Sequence, residues 1–296
     1  MRSAATVSDA AVEARAFAQS VAGALDRHAR PQRGAPAQAA WAPGDAAAPP
    51  QPELIAALNE LGWEMLAQDR DLVGCAGLGA VELGRRLAPL HVVDGLLPGS
   101  PMAAELVRSP RPDGLVAARH ASGVVVRRVV RAEPAASSEG LEVLRVVELE
   151  DLHDIPAENW GAAAAAWTAA GVGYLAGVGE GALDITVGYV RQRRAFGSTL
   201  GALTAVQQLL AEAATAVRGV SLLAGEHATG DALAHAGHAV AEACAACQQV
   251  TGAIGFTLEY PLHRYTQRAR ALAVWNDALL DLVIGVAADQ PSAIAR

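Results

Sequence analysis

Apolar positions recur at helical spacing over most of the chain. In the first segment Val12, Ala16, Phe17, Val21 and Leu25 fall on one predicted helix face. A second amphipathic stretch opens at Pro52-Glu53 and sets Leu54, Leu58, Leu61 and Met65 on one side. Between the two, residues 29–52 change to Pro, Ala, Gly and Gln, the composition of a surface excursion or linker. Between Pro98 and Pro156 the pattern turns strand-like at 115–118, 123–131 and 141–147, with turn residues between. From Trp160 almost to the end it is helical again. Segments 207–223 and 232–250 read as two long helices, so a four-helix bundle is the natural closure. The pattern thus divides the chain into an N-terminal helical domain over 1–98, a shortened β-domain over 99–156 and a helical bundle over 157–296, mostly α in class.

Composition sharpens this picture. Apolar residues make up 52% of the 296 positions but aromatics only 4%, so alanine, leucine and valine must build the core. Alanine favours helix and lets helices approach closely. The formal charge of -8 disfavours a nucleic-acid or anionic-membrane footprint. No continuous apolar run reaches the roughly 18 to 20 residues of a membrane span, and the first residues lack a secretory signal's apolar core. The expectation is a cytoplasmic protein. Cys244 and Cys247 spell Cys-x-x-Cys inside an apparent helix with no strand before it, which favours small core residues over redox chemistry. The glycines from Gly171 to Gly181 likewise follow no strand, so they read as close helix contacts rather than a dinucleotide loop. No residue is assigned to a metal.

Two blocks carry the candidate chemistry. The first, Tyr189-Val-Arg-Gln-Arg193-Arg-Ala195-Phe196-Gly197, reads as a helix stopped at Gly197, with Tyr189, Arg193 and Phe196 on neighbouring turns and a second helix starting near Leu203. It resembles the acyl-CoA dehydrogenase signature, a tyrosine four residues before the arginine of an Arg-x-Gln-Phe-Gly turn, with Ala195 in place of the glutamine. The second, Gln249-Val-Thr-Gly252-Ala253-Ile-Gly255-Phe256-Thr257-Leu-Glu259-Tyr260-Pro261, resembles the same family's Gln-x-x-Gly-Gly-x-Gly-Tyr-Thr-x-Glu-Tyr-Pro segment. Upstream, Leu61-Gly62-Trp63 and Gly84-Arg-Arg-Leu-Ala-Pro89 are similar to phrases of its N-terminal helical domain.

The resemblance implies an acyl-CoA dehydrogenase-like fold and α,β-desaturation of an acyl-CoA thioester with FAD. That reaction needs a carboxylate base in a dry site. The family draws it from one of two registers, which here read Asn276 and, on the helix before the first block, a position near Trp167. Asparagine cannot accept the proton. Asp277 is the nearest substitute, with Glu158 and Glu180 each several residues from the other register. The family's flavin-contact positions fall on Arg193, Phe196, Leu200, Gln249, Gly252 and Ala253, whereas Thr204 replaces a glutamine. A guanidinium on a pyrophosphate makes a charge-assisted bidentate pair; the alternative is that Arg193 caps carbonyls at the helix end. The Thr-Glu and Gly-Ser-Asp phrases that grip the flavin ring have no counterpart. The resemblance therefore extends to the short, degenerate subunit of heteromeric bacterial enzymes of sterol side-chain degradation, where FAD is held mainly by a homologous partner in a heterotetramer. A homo-oligomer is the other assembly considered. Two other classes stay open: a non-redox enzyme on an acyl thioester, for which His263, Tyr265 and Asp277 must converge, and a non-catalytic binding or scaffold protein.

Overall fold

The computed structural model describes residues 4–28, 52–108, 110, 113–120, 123–135, 141, 143–226 and 229–288. The expected excursion over 29–52 lies outside these, apart from Pro52, which opens a helix. Helix α1 (Ala4–His28) buries Ala14, Val21, Ala24 and Leu25. Its inner face is rotated from the expected one, since Val12 is 61% exposed. Helix α2 (Pro52–Glu60) buries Leu54 and Leu58, but it stops before Gly62, whose φ of 87° no helix accommodates. A 3-10 turn (Trp63–Ala67) follows, so Trp63 and Leu66 point inward and Met65 is left exposed, contrary to the expected face.

Helix α3 (Val73–Arg85) lies directly on the long helix α5 (Ala157–Gln192). The glycines explain how close they come. A side chain at Gly173 would strike the Gly77 carbonyl, and one at Gly177 the backbone of Val81 and Arg85. An 18-residue window of α5 is apolar enough to cross a membrane by length and composition, although no uninterrupted apolar run marks it; 78% of it is buried against the rest of the protein. It is the central helix of the fold.

A short helix α4 (His91–Asp94) leads into a closed barrel of order β1-β2-β5-β4-β3. Its strands are β1 (Ser100–Ala103), β2 (Leu106–Arg108), β3 (Leu115–His120), β4 (Gly123–Pro134) and β5 (Val143–Asp154). The last three match the strand-like segments. The first two are too short to show a period in the sequence. Helices α6 (Thr204–Ala224), α7 (Gly230–Thr251) and α8 (Leu262–Ala288) join α5 in the four-helix bundle. The expected fold class is the observed one.

Candidate functional site

The bundle alternates direction, so the end of α5, the start of α6, the end of α7 and the start of α8 share one tip. Both sequence blocks fall there. Helix α5 ends at Gln192, not at Gly197: Arg193 is already extended (φ -70°, ψ 122°), and its carbonyl accepts from the Leu200 amide at 2.8 Å. The two intervening strands, β6 (Arg194–Ala195) and β7 (Ser198–Thr199), pair antiparallel. Phe196 (φ 54°) and Gly197 (φ 81°) form the two-residue turn between them, with the double positive φ that matches strand twist. The Gly197 cap and the helical stacking of Phe196 are thus replaced by a hairpin. Its tip holds the Phe196 ring 91% exposed. A non-glycine residue at positive φ costs on the order of 1 kcal/mol or more, which the surroundings must supply.

Tyr189 remains helical, with its ring 5.6 Å from that of Tyr260. The Tyr260 hydroxyl donates to the Ile185 carbonyl at 3.0 Å, tying the second block to the first. Burial, with smaller contributions from Tyr189 and Cys247, pushes the Tyr260 phenol up to about 12. In the second block α7 ends at Thr251, and Gly252 takes φ 67° and ψ -148° to start a 3-10 turn (Gly252–Phe256). Gln248 is buried and donates to the Gly255 carbonyl at 3.2 Å. Gln249 faces solvent instead. Arg193, Phe196, Gln249 and Ala253 are therefore exposed at this tip, and Leu200 and Gly252 half-buried. Apolar side chains surround them: Ile254, Phe256 and Leu258 are 38%, 64% and 78% exposed.

Among the described residues the Arg193 guanidinium makes no hydrogen bond or ion pair, so it caps no carbonyl at the end of α5. With Arg191 and Arg194 it makes three exposed arginines in four positions of a chain of net charge -8. Such a tip offers an anion a bidentate donor and a flat ring an aromatic face.

The two base registers are in the interior, and the structure brings them together. The Trp167 indole donates to Asp94 Oδ1 at 2.9 Å. Arg108 holds the same carboxylate by two bonds, Nε to Oδ2 at 3.2 Å and Nη2 to Oδ1 at 3.0 Å. Its Nη1 donates to Asn276 Oδ1 at 3.3 Å, and its guanidinium carbon lies 5.6 Å from the centre of a Trp167 ring. Asp94, Arg108, Trp167 and Asn276 are 0%, 2%, 0% and 3% exposed. This network joins α4, β2, α5 and α8. Its carboxylate is already committed to a guanidinium and an indole, and so is unsuited to take a proton from a substrate.

Sequence reasoning missed Asp94 and Arg108. The available signal was Asp94, a lone acid in the apolar stretch from Leu90 to Leu97; Arg108, with Glu105 three residues before it and Arg111 three after, offered none. Asp277 lies on the outside of α8, 46% exposed and 3.1 Å from His238 Nε2. Glu180 pairs with Arg85 and accepts from Ser221 at 2.8 Å. The side chain of Glu158 is outside the described residues. His263, Tyr265 and Asp277 do not converge. His263 Nδ1 donates to the Tyr260 carbonyl and the buried Tyr265 hydroxyl to the Arg85 carbonyl, while Asp277 lies about 21 Å along α8 from His263 at 1.5 Å per residue. Cys244 and Cys247 are both fully buried on α7, and burial pushes their thiols up, as inert core residues require.

Comparison with family models matches residues 163–276 to the acyl-CoA dehydrogenase C-terminal domain. Curated protein sequences give no match. Solved structures resemble nearly the whole chain. Glutaryl-CoA dehydrogenase from Mycobacterium smegmatis is 17% identical with a TM-score of 0.65, covering 95% of this chain and 96% of its own. The ChsE4-ChsE5 complex from Mycobacterium tuberculosis gives 17%, 0.63, 94% and 98% for the same quantities. The Tcur3481-Tcur3483 steroid ACAD gives 18%, 0.60, 95% and 99%. At these identities the likeness is one of fold.

Proposed function

We propose that this chain, whose bundle belongs to the acyl-CoA dehydrogenase C-terminal domain family and whose fold is that of the acyl-CoA dehydrogenases, is a subunit of an FAD-dependent acyl-CoA dehydrogenase that completes a flavin site held mainly by a homologous partner. The observation that carries this reading is a contrast within one molecule. Both base registers are locked in a buried network, whereas Arg193, Phe196, Gln249 and Ala253 of the flavin-contact positions stand exposed and, among the described residues, the Arg193 guanidinium has no partner.

In this reading Arg193 binds the FAD pyrophosphate, Phe196 covers the adenosine, and Gln249 with the Gly252 turn lies along the same edge. Leu200 and Ala253 close the apolar side. FAD, when bound, supplies the hydride acceptor for desaturation of the acyl-CoA thioester. This chain's residues bind and orient the nucleotide end and exclude water from it through Phe196, Phe256 and Leu258. The base comes from the partner, because Asn276 and Trp167 supply none. Two solved relatives are pairs, the ChsE4-ChsE5 complex and Tcur3481-Tcur3483, and another is a glutaryl-CoA dehydrogenase in complex with FADH2, which supports the heteromeric, flavin-dependent reading.

The visible absorption spectrum tests it. The chain alone is expected to purify colourless, and to carry flavin after co-expression with a full-length homologue encoded beside it. Flavin in the isolated chain at one per subunit, or none in either preparation, would overturn the proposal.

A further inference from the structure

A groove of about 840 Å³ lies where the N-terminal helices, the barrel and the bundle meet. Its volume is within the roughly 300–1,000 Å³ range of small-molecule sites, and junctions between domains are where such sites concentrate. The walls come from three directions: the 3-10 turn Trp63–Ala67, the loop after α4, and the junction of β5 with the first turns of α5. The floor is rigid. Leu97 is three residues past Asp94, and Ala163 is one turn before Trp167, so two of its sides hang directly from the buried ion-pair network.

The lining has a definite chemistry. Leu97, Ile155 and Ala163 are apolar, and four polar side chains stand at the rim: Glu64 and Gln68, Asn159, and His153 at the end of β5. None of the four makes a side-chain hydrogen bond or ion pair among the described residues. They supply amide donors, carbonyl and carboxylate acceptors and an imidazole around an apolar bed. Among the described residues no arginine lines the groove, and Arg70, whose guanidinium lies against Gly161, is outside the lining. Glu64 is the one carboxylate among the described lining residues, so an anion meets a like charge there and no cationic partner in the lining.

We propose that this groove binds an uncharged, compact hydrocarbon carrying hydroxyl or carbonyl groups, with its apolar body on the Leu97–Ile155–Ala163 floor and its oxygens toward Gln68, Asn159 and His153. The site is independent of the flavin tip. Asn159 and Ala163 are in the opening turns of α5 and Arg193 follows its last residue, so the two lie about 45–51 Å apart along the helix at 1.5 Å per residue.

The test uses a matched pair of rigid probes, adamantan-1-ol and adamantane-1-carboxylate, titrated into the full-length chain. Isothermal calorimetry gives affinity, and the side-chain amide NMR signals of Gln68 and Asn159 report location. The alcohol should bind saturably and shift both amides, with the carboxylate at least tenfold weaker. Ala162→Trp, which fills the groove, should weaken the alcohol at least tenfold. Should that variant fail to fold, the double variant Gln68→Ala/Asn159→Ala, at two exposed positions, should still weaken it at least threefold. Absence of saturable binding, equal affinity for the carboxylate, or unchanged affinity in the folded variants would overturn the proposal. None of these readouts depends on flavin or a partner, so this site and the proposed function stand or fall separately.

Discussion

Replacing Arg108 by methionine removes the centre of the buried network and leaves the Asp94 carboxylate, 0% exposed, with the Trp167 indole as its side-chain donor. Breaking one partner of a buried pair costs about 3–5 kcal/mol, because the remaining charge has lost water and compensation together. Asp94→Asn should cost a similar amount for the opposite reason: it leaves the guanidinium uncompensated while keeping an acceptor for Trp167. The double variant behaves differently. With both charges gone, the main loss is the bond from Arg108 to Asn276, and an orphaned buried acceptor costs about 1–3 kcal/mol. The single effects sum to roughly 6–10 kcal/mol, so the double-mutant cycle should show a coupling of several kcal/mol. Urea denaturation followed by tryptophan fluorescence reads it. Single variants at this cost approach the whole stability of a typical domain, about 5–15 kcal/mol; recovery of folded protein in the double variant is then the sign of coupling. A double variant as unstable as the two singles combined would show that the charges are not desolvated, and the account of a sealed base site would fail with it.

At the bundle tip, Arg193→Glu and Phe196→Asp should each abolish flavin acquisition in the co-expressed complex while moving urea stability of the chain by less than about 0.5 kcal/mol, since both positions are exposed; unfolding of either variant would assign them a structural role. Burial holds His91 below its ordinary value, against a smaller upward pull from Asp94, so it contributes stability that is present above about pH 6.5, the unfolded value, and is lost as pH falls below it. Denaturation between pH 7.5 and 5 should show this slope, and His91→Gln should flatten it; an unchanged slope would place its origin elsewhere. Gly177→Val should destabilise by about 3 kcal/mol or more, because the new side chain meets the backbone of Val81 and Arg85. A neutral result in thermal melts would mean that α3 and α5 can separate.

The helical framework was legible because long helices repeat their period many times: α6 and α7 begin and end within three residues of the segments read from the sequence. The barrel was half legible, since β4 is long and rich in valine while β2 has three residues and no period to detect. Local geometry was less readable. The Phe196-Gly197 pair looks like a helix terminus, yet pairing of Arg194–Ala195 with Ser198–Thr199 turns it into a hairpin. At the base registers the sequence showed which residues stand where a carboxylate would be expected. It could not show that Asn276 and Trp167 touch one guanidinium–carboxylate pair, because Asp94 is 73 residues from Trp167 and Arg108 is 168 from Asn276. Contacts at that separation leave no periodic trace.

The hairpin tip has a consequence for how much of this chain a cell can tolerate. Phe196, Phe256 and Leu258 place aromatic and aliphatic surface in water at one end of the bundle, and contiguous surface of that kind drives association or aggregation when nothing covers it. A copy made in excess would be a substrate for chaperones and proteases, and its abundance would be set by whatever masks the tip rather than by its own rate of synthesis. If, as proposed, a homologous subunit masks the tip, matched production of the two would be a solubility requirement as much as a catalytic one.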